Sequence, residues 1–202
     1  MRFFIVFEDA GIFGATVNVV IKHKGDYYCG TDQGLVVLNG DTCQSKENEL
    51  TEKLKGMRIR GMLEDSEKNL WIRTYAQEGL ICYTSTGEFL SFNMKNAGTT
   101  SDRFRCMIEM EDGTVVCGTA DGINYFKNKQ LTGMITLSDG LENSQILCMV
   151  RDGKRIFAGS DGAGIYVISD GEIVDHINHE DGLSSDVVLR IVPYQDGYFL
   201  VT

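Results

Sequence analysis

Proline is nearly missing from this 202-residue chain, which has a single Pro against 23 Gly. Reversals of direction must therefore come from residues that tolerate positive φ, and that many of them reads as a series of tight turns between strands. Long apolar runs are missing too. None approaches the roughly 18–20 residues that a membrane-crossing helix needs. The opening MRFFIVFEDAG starts apolar, but Glu8 and Asp9 interrupt it before a signal-peptide core of about 7–15 residues can form, so no targeting segment is expected. Basic residues are scarce relative to acids, 19 against 29, for a net charge of −10. Nucleic acid is not an expected partner, because affinity for it comes largely from Lys and Arg neutralising phosphates. An anionic membrane surface is disfavoured on the same ground. The six cysteines include no C-x-x-C pair, so their spacing suggests neither a zinc site nor a thioredoxin-like motif. Free buried thiols are expected, and six of them argue mildly against an oxidising compartment.

What the sequence does have is a repeat. YYCGTDQGLVVL, LWIRTYAQEGLICY, TVVCGTADGINYF and RIFAGSDGAGIYVI align on a Thr or Ser that opens a turn, namely Thr31, Thr74, Thr119 and Ser160, with Thr202 as a fifth. Successive anchors are 43, 45, 41 and 42 residues apart, the period of one four-stranded propeller blade. Each repeat reads as an apolar strand, a turn, a second strand ending at the anchor, a short turn closed by Gly (Gly34, Gly79, Gly122, Gly164), a third strand and a variable outer strand. The innermost strands are expected to be apolar on both faces, because blades stack face to face. FEDAGIFGATVNVVI, LSDGLENSQILCMV and HEDGLSSDVVLRIV repeat the connector from an outer strand to the next inner one.

The expected fold is all-β, a β-propeller region over 1–202 with four complete blades at about 17–58, 59–102, 103–145 and 146–187. Residues 1–16 would supply the outer strand and connector of a preceding blade, and 188–202 the first half of a fifth, nineteen strands in all. This is the pattern of an open piece of a larger propeller. A closed five-bladed ring, one strand short, is the rival.

Candidate chemistry is sparse. His176 and His179 are three apart, which on a strand puts them on opposite faces and unsuits them to share a metal. Asp recurs at turn positions (Asp65, Asp112, Asp152, Asp170), where its side chain stabilises the turn, and no EF-hand spacing, nucleophile elbow or phosphate loop is found. Neither a cofactor nor a metal nor catalysis is expected. Propeller ligands usually meet the loops between second and third strands and the connectors, which share one face. By register this gives Asp32, Tyr75, Gln77, Glu78, Asp121 and Asp161, with Arg60, Arg103, Asn143 and Asp186 on connectors. The Tyr75–Glu78 loop is longer and breaks the repeat, with Arg73 beside it, so that blade is the expected carrier of specificity.

The stretch EDSEKNLWIRTYAQEGLICY, with Glu64, Asp65, Asn69, Leu70, Trp71, Thr74, Gly79 and Leu80, resembles the blade signature of the two-component regulator propeller repeats. GLSSDVVLRI and GLENSQILCM resemble that family's connector. Other blades depart from it: Tyr28, Val116 and Phe157 stand in place of Trp71, and Arg73 stands where Gly30, Gly118 and Gly159 keep the family's Gly. The resemblance implies a ligand-sensing module on the extracytoplasmic side of a bacterial membrane, within a longer receptor that signals to a histidine kinase or nucleotide cyclase. The ligand would be small or oligomeric, a carbohydrate among the candidates, and a homodimer could form through the full receptor. The alternative is a protein-interaction or dimerisation scaffold; a propeller lyase or hydrolase ranks last.

Overall fold

A computed structural model describes residues 15–75 and 77–202. The outer strand expected near residues 2–7 lies outside them. The described chain forms four consecutive four-stranded antiparallel sheets and a final hairpin. The first sheet contains β1 (Val17–His23), β2 (Asp26–Thr31), β3 (Gly34–Leu38) and the two-residue β4 (Ser45–Lys46). The second contains β5 (Ile59–Glu64), β6 (Leu70–Thr74), β7 (Leu80–Tyr83) and β8 (Phe89–Phe92). β9 (Phe104–Glu109), β10 (Val115–Thr119), β11 (Ile123–Lys127) and β12 (Gln130–Ile135) make the third. β13 (Ile146–Asp152), β14 (Arg155–Ser160), β15 (Ile165–Ser169) and β16 (Glu172–Ile177) make the fourth, and β17 (Arg190–Tyr194) pairs with β18 (Gly197–Val201). Each strand pairs with its sequence neighbour, so every sheet is a meander. These are β-propeller blades. The chain divides into two compact units, one ending at Ser91 and the other beginning at Phe92.

The anchor hydroxyl explains the repeat. Thr31 Oγ1 donates to Gly34 O at 2.8 Å, Thr74 to Gly79 at 3.1 Å, Thr119 to Gly122 at 3.0 Å and Ser160 to Gly164 at 2.9 Å. The same oxygen accepts from the turn in three blades, from Gln33 N, Asp121 N and Ala163 N. All four anchors are buried. A hydroxyl gives and takes at one atom there, and an apolar substitute would strip the turn N–H of its acceptor, while the glycine carbonyl keeps the anchor's own N–H in the last three blades.

The close approach of neighbouring strands explains the glycine before each anchor. A Cβ on Gly30 would lie 2.5 Å from Ile59 Cγ2, on Gly118 2.6 Å from Ile146 Cγ2, and on Gly159 2.8 Å from Val188 Cγ1. Each glycine thus seats the first apolar residue of the next inner strand. The second blade inverts the arrangement. There Arg73 pairs with Gly61, whose Cβ would meet Arg73 Nε at 2.2 Å, so the missing side chain on β5 makes room for the arginine on β6.

One expectation is corrected. The first strands are less buried than the second and third: β1 and β13 are mostly half-exposed, whereas β10 is buried throughout. A first strand is the edge of its sheet, while the second and third have ladder partners on both sides. The segment after β4 forms a short helix, α1 (Glu49–Lys53), capped by Asn48 and Thr51 in a reciprocal box. Leu50 and Leu54, four apart, place their side chains in the core formed by Tyr28, Val37, Ile59 and Ile72.

The motif residues of the second blade form one buried network. Asp65 accepts from Asn69 N at 2.8 Å, Asn69 Nδ2 at 2.8 Å and Trp71 Nε1 at 2.7 Å. Asn69 Oδ1 in turn accepts from Ser85 N at 2.9 Å, tying the first turn of the blade to the last. The indole therefore buries its ring while its N–H is satisfied.

Candidate functional site

A register irregularity recurs at the start of every complete blade. Val17 and Val19 pair with consecutive residues of β2, as do Ile59 and Gly61 with β6, Phe104 and Cys106 with β10, and Ile146 and Cys148 with β14. The extra residue of each bulge is Asn18, Arg60, Arg105 or Leu147. A bulge re-aims one side chain without ending the ladder, and here it presents a polar residue in three of four blades. Sequence reasoning named only Arg60. The signal was available in VNV, IRG and FRC, where a polar residue interrupts an otherwise apolar strand.

In the first unit these residues gather around Asp32. Its Oδ1 accepts from Asn18 Nδ2 at 2.7 Å and from Arg58 Nε at 2.9 Å, and Arg58 completes a two-point contact on Oδ2 at 3.2 Å. Those hydrogen bonds hold the Asp32 carboxyl below the ordinary carboxylate range. Arg60 reaches Asn18 Oδ1 at 3.3 Å and lies over the Tyr75 ring, 5.1 Å from its centroid. Arg60 thus joins Tyr75 from the neighbouring strand, and Arg73, on the strand that leads into the Tyr75 loop, lies against Gly61. Gln77 is exposed and Glu78 half-buried in the turn that Thr74 closes onto Gly79.

In the second unit Arg103 and Asp121, both expected site residues, share a polar cleft of about 450 Å3 with Ser101, Glu142, Asn143 and Gln145. Its walls are fixed from beneath. The buried Tyr166 hydroxyl accepts from Glu142 N and Asn143 N at 2.9 Å each, and its ring stacks on His176 at 4.7 Å. Asn143 Oδ1 accepts from Gln145 N at 2.9 Å, and Asn143 Nδ2 donates to the Asp161 carbonyl at 2.5 Å. Asp161 therefore contributes backbone to this wall. Gln145 Oε1 accepts from the bulge residue Arg105 at 2.8 Å, and Arg105 Nε is buried without a partner among the described residues. Outside the lining, buried Asn124 bonds Thr100, the neighbour of the lining residue Ser101, through both its amide atoms, at 3.0 and 2.7 Å.

Donors on Arg103, Asn143 and Gln145 share this cleft with acceptors on Asp121 and Glu142. Such a lining can hold a polar ligand that both gives and takes hydrogen bonds. His176 and His179 do not line the cleft, although His176 Nδ1 lies 3.8 Å from Glu142 Oε1. His176 on β16 contacts the Ala163 carbonyl, whereas His179 opens a short 3-10 turn, not a strand position, and pairs with Asp186 at 2.6 Å. Among the described residues no three His, Cys, Asp or Glu side chains are grouped to hold a metal.

Sheet order, anchor wiring and the connector-to-turn hydrogen bonds define a β-propeller repeat protein. Residues 53–76, from the last residue of α1 to just past β6, match the family model of the two component regulator propeller. The fold is similar to the extracellular domain of the hybrid two-component system BT3049 from B. thetaiotaomicron, at 18% identity and a TM-score of 0.75, over 92% of this chain and 26% of that one. It is also similar to the extracellular domain of the one-component system BT4673 from the same organism (19%, TM-score 0.53, 92% and 31%). A third similar structure is virginiamycin B lyase from Staphylococcus aureus (14%, TM-score 0.65, 82% and 57%). The chain spans about a quarter to a third of the length of the first two. No curated protein matches the sequence.

Proposed function

We propose that this chain is a ligand-sensing propeller segment of a bacterial signal-transduction receptor, exposed on the extracytoplasmic side, and that its second unit binds a small or oligomeric neutral polar ligand of carbohydrate type. The observation that carries this reading is the cleft of Arg103, Asp121, Asn143 and Gln145. The backbone of Glu142 and Asn143 is held by buried Tyr166, and the side chains of Asn143 and Gln145 are held by the Asp161 carbonyl and by Arg105. Preorganised polar groups around a depression of this size favour binding, because little side-chain entropy remains to be lost. The family match over residues 53–76 and the likeness to extracellular domains of signalling systems support the sensory role. Binding is favoured over turnover because no cysteine lines the cleft and His176, 3.8 Å from Glu142 through Nδ1, has its Nε2 engaged by the Ala163 carbonyl.

Isothermal titration against a panel of neutral oligosaccharides tests the proposal. Heat of binding with at least one of them, lost in Arg103→Ala and Asn143→Ala, is the expected result. Absence of heat with every sugar, or binding that both variants retain, refutes it.

A further inference from the structure

The second unit has another depression, at the other end of the same sheets, where the β9–β10, β13–β14 and β15–β16 turns meet. Its volume is about 460 Å3. Met110, Tyr125, Ile156 and Ile168 give it an apolar floor, and these side chains pack on the core of the unit.

Tyr125 is out of pattern. The aromatic of each other blade sits on the second strand and faces a smaller residue on the third: Tyr28 against Val37, Trp71 against Cys82, Phe157 against Val167. The third blade reverses the pair, with Val116 on β10 and Tyr125 on β11. Trp71 satisfies its N–H on Asp65, but the Tyr125 hydroxyl is buried with no hydrogen-bond partner among the described residues. A buried polar group without a partner is unfavourable and asks for an explanation. Burial raises the Tyr125 pKa to about 12, so the hydroxyl keeps its proton and remains a donor.

The rim sets the charge. Asp112 is occupied by Lys127 Nζ at 2.9 Å and by Thr114 N at 2.9 Å. That leaves exposed Glu111 and Asp170 against Lys154, an acidic balance that disfavours an anion.

We propose that this depression binds a small amphipathic molecule with an apolar ring, a hydrogen-bond acceptor at its buried end for the Tyr125 hydroxyl, and a neutral or positively charged group at the mouth. The site is separate from the polar cleft and does not depend on it.

The probes are 4-methoxyphenethylamine and 4-methoxyphenylacetate, which share ring and ether acceptor and differ in charge. They are titrated into the full chain while the methyl signals of Met110, Ile156 and Ile168 are followed by NMR. The amine is expected to shift these signals saturably and to bind at least about threefold more tightly than the carboxylate. Tyr125→Phe keeps the ring and removes the donor. It is expected to weaken the amine about tenfold, the effect of one lost hydrogen bond, while leaving the unfolding midpoint unchanged or higher. Glu111→Lys, on the exposed rim, is expected to erase the preference for the amine. No saturable shift with either probe overturns the proposal. So does undiminished amine binding in Tyr125→Phe, or a carboxylate that binds as tightly as the amine to the unaltered chain.

Discussion

Replacing Asp65 by Asn tests whether the second-blade motif acts as a buried hydrogen-bond hub. Asp65 is 6% exposed and accepts three hydrogen bonds, two of them on Oδ2 from Asn69 Nδ2 and Trp71 Nε1. An amide of the same shape has one acceptor oxygen. If that oxygen serves Asn69 N, the amide NH2 faces two donors; if it is flipped, the NH2 faces the backbone N–H. One or two buried donors are orphaned either way, and the charge assistance of all three bonds is lost. At about 1–3 kcal/mol for each orphaned group, the expected loss is roughly 2–4 kcal/mol, with Asp65→Ala losing more. That is a large share of the about 5–15 kcal/mol that holds a typical domain together. Trp71 is the sole tryptophan, so its emission during urea unfolding reports on this blade directly. The emission of Asp65→Asn in native buffer is also expected to move to longer wavelength as the indole N–H seeks water. A loss below about 1 kcal/mol with unchanged emission would refute the hub.

Thr119→Val should destabilise by about 1–3 kcal/mol because Asp121 N loses its acceptor, and Thr119→Ser should restore most of it; chemical denaturation of the pair is the check. Gly159→Ala puts a Cβ 2.7 Å from Cys148 Sγ and 2.8 Å from Val188 Cγ1, and overpacking of about 1–3 kcal/mol is expected in the same assay. The bond from Thr114 N, and then the Lys127 contact, depress the Asp112 pKa to about 2 from 3.8. A depressed carboxylate stabilises above its unfolded pKa, so this contribution is present at neutral pH and fades as pH falls from about 4 towards 2. Asp112 is 65% exposed, which keeps the effect to at most about 1 kcal/mol, measurable as the acid-limb difference between the parent and Asp112→Asn. All six thiols are free, and burial pushes the Cys29 pKa up to about 11. Partly exposed Cys43 should therefore be alkylated at pH 8 well before Cys29, Cys82 and Cys117; mass spectrometry of partly labelled protein reads the order.

The repeat was legible because its markers have unavoidable physical jobs. A turn that needs a hydroxyl acting as donor and acceptor selects Thr or Ser, and a backbone seating its neighbour's Ile or Val selects Gly, so both survive as sequence patterns. The candidate site was legible by position, as Arg103, Asp121 and Asn143 in one cleft show, but not by partner. Arg73 was read as a companion of Tyr75 from sequence proximity. Gly61 on β5 makes room for it, and the bulge residue Arg60 lies over the Tyr75 ring. A bulge adds one residue without a Gly or Pro signature, so only comparison of the inner strands could have exposed it. Helix α1 was missed because five residues are too few for a visible period, although Asn48 and the Leu50–Leu54 spacing carried its cap and its buried face.

The central claim, that the turn-and-connector end of the second unit is a built ligand site, is tested most directly by mapping backbone amide shifts during titration with a neutral oligosaccharide that gives heat. The account predicts the largest changes at Arg103, Asp121, Asn143 and Gln145. Changes concentrated at other residues, with these four unmoved, would contradict it.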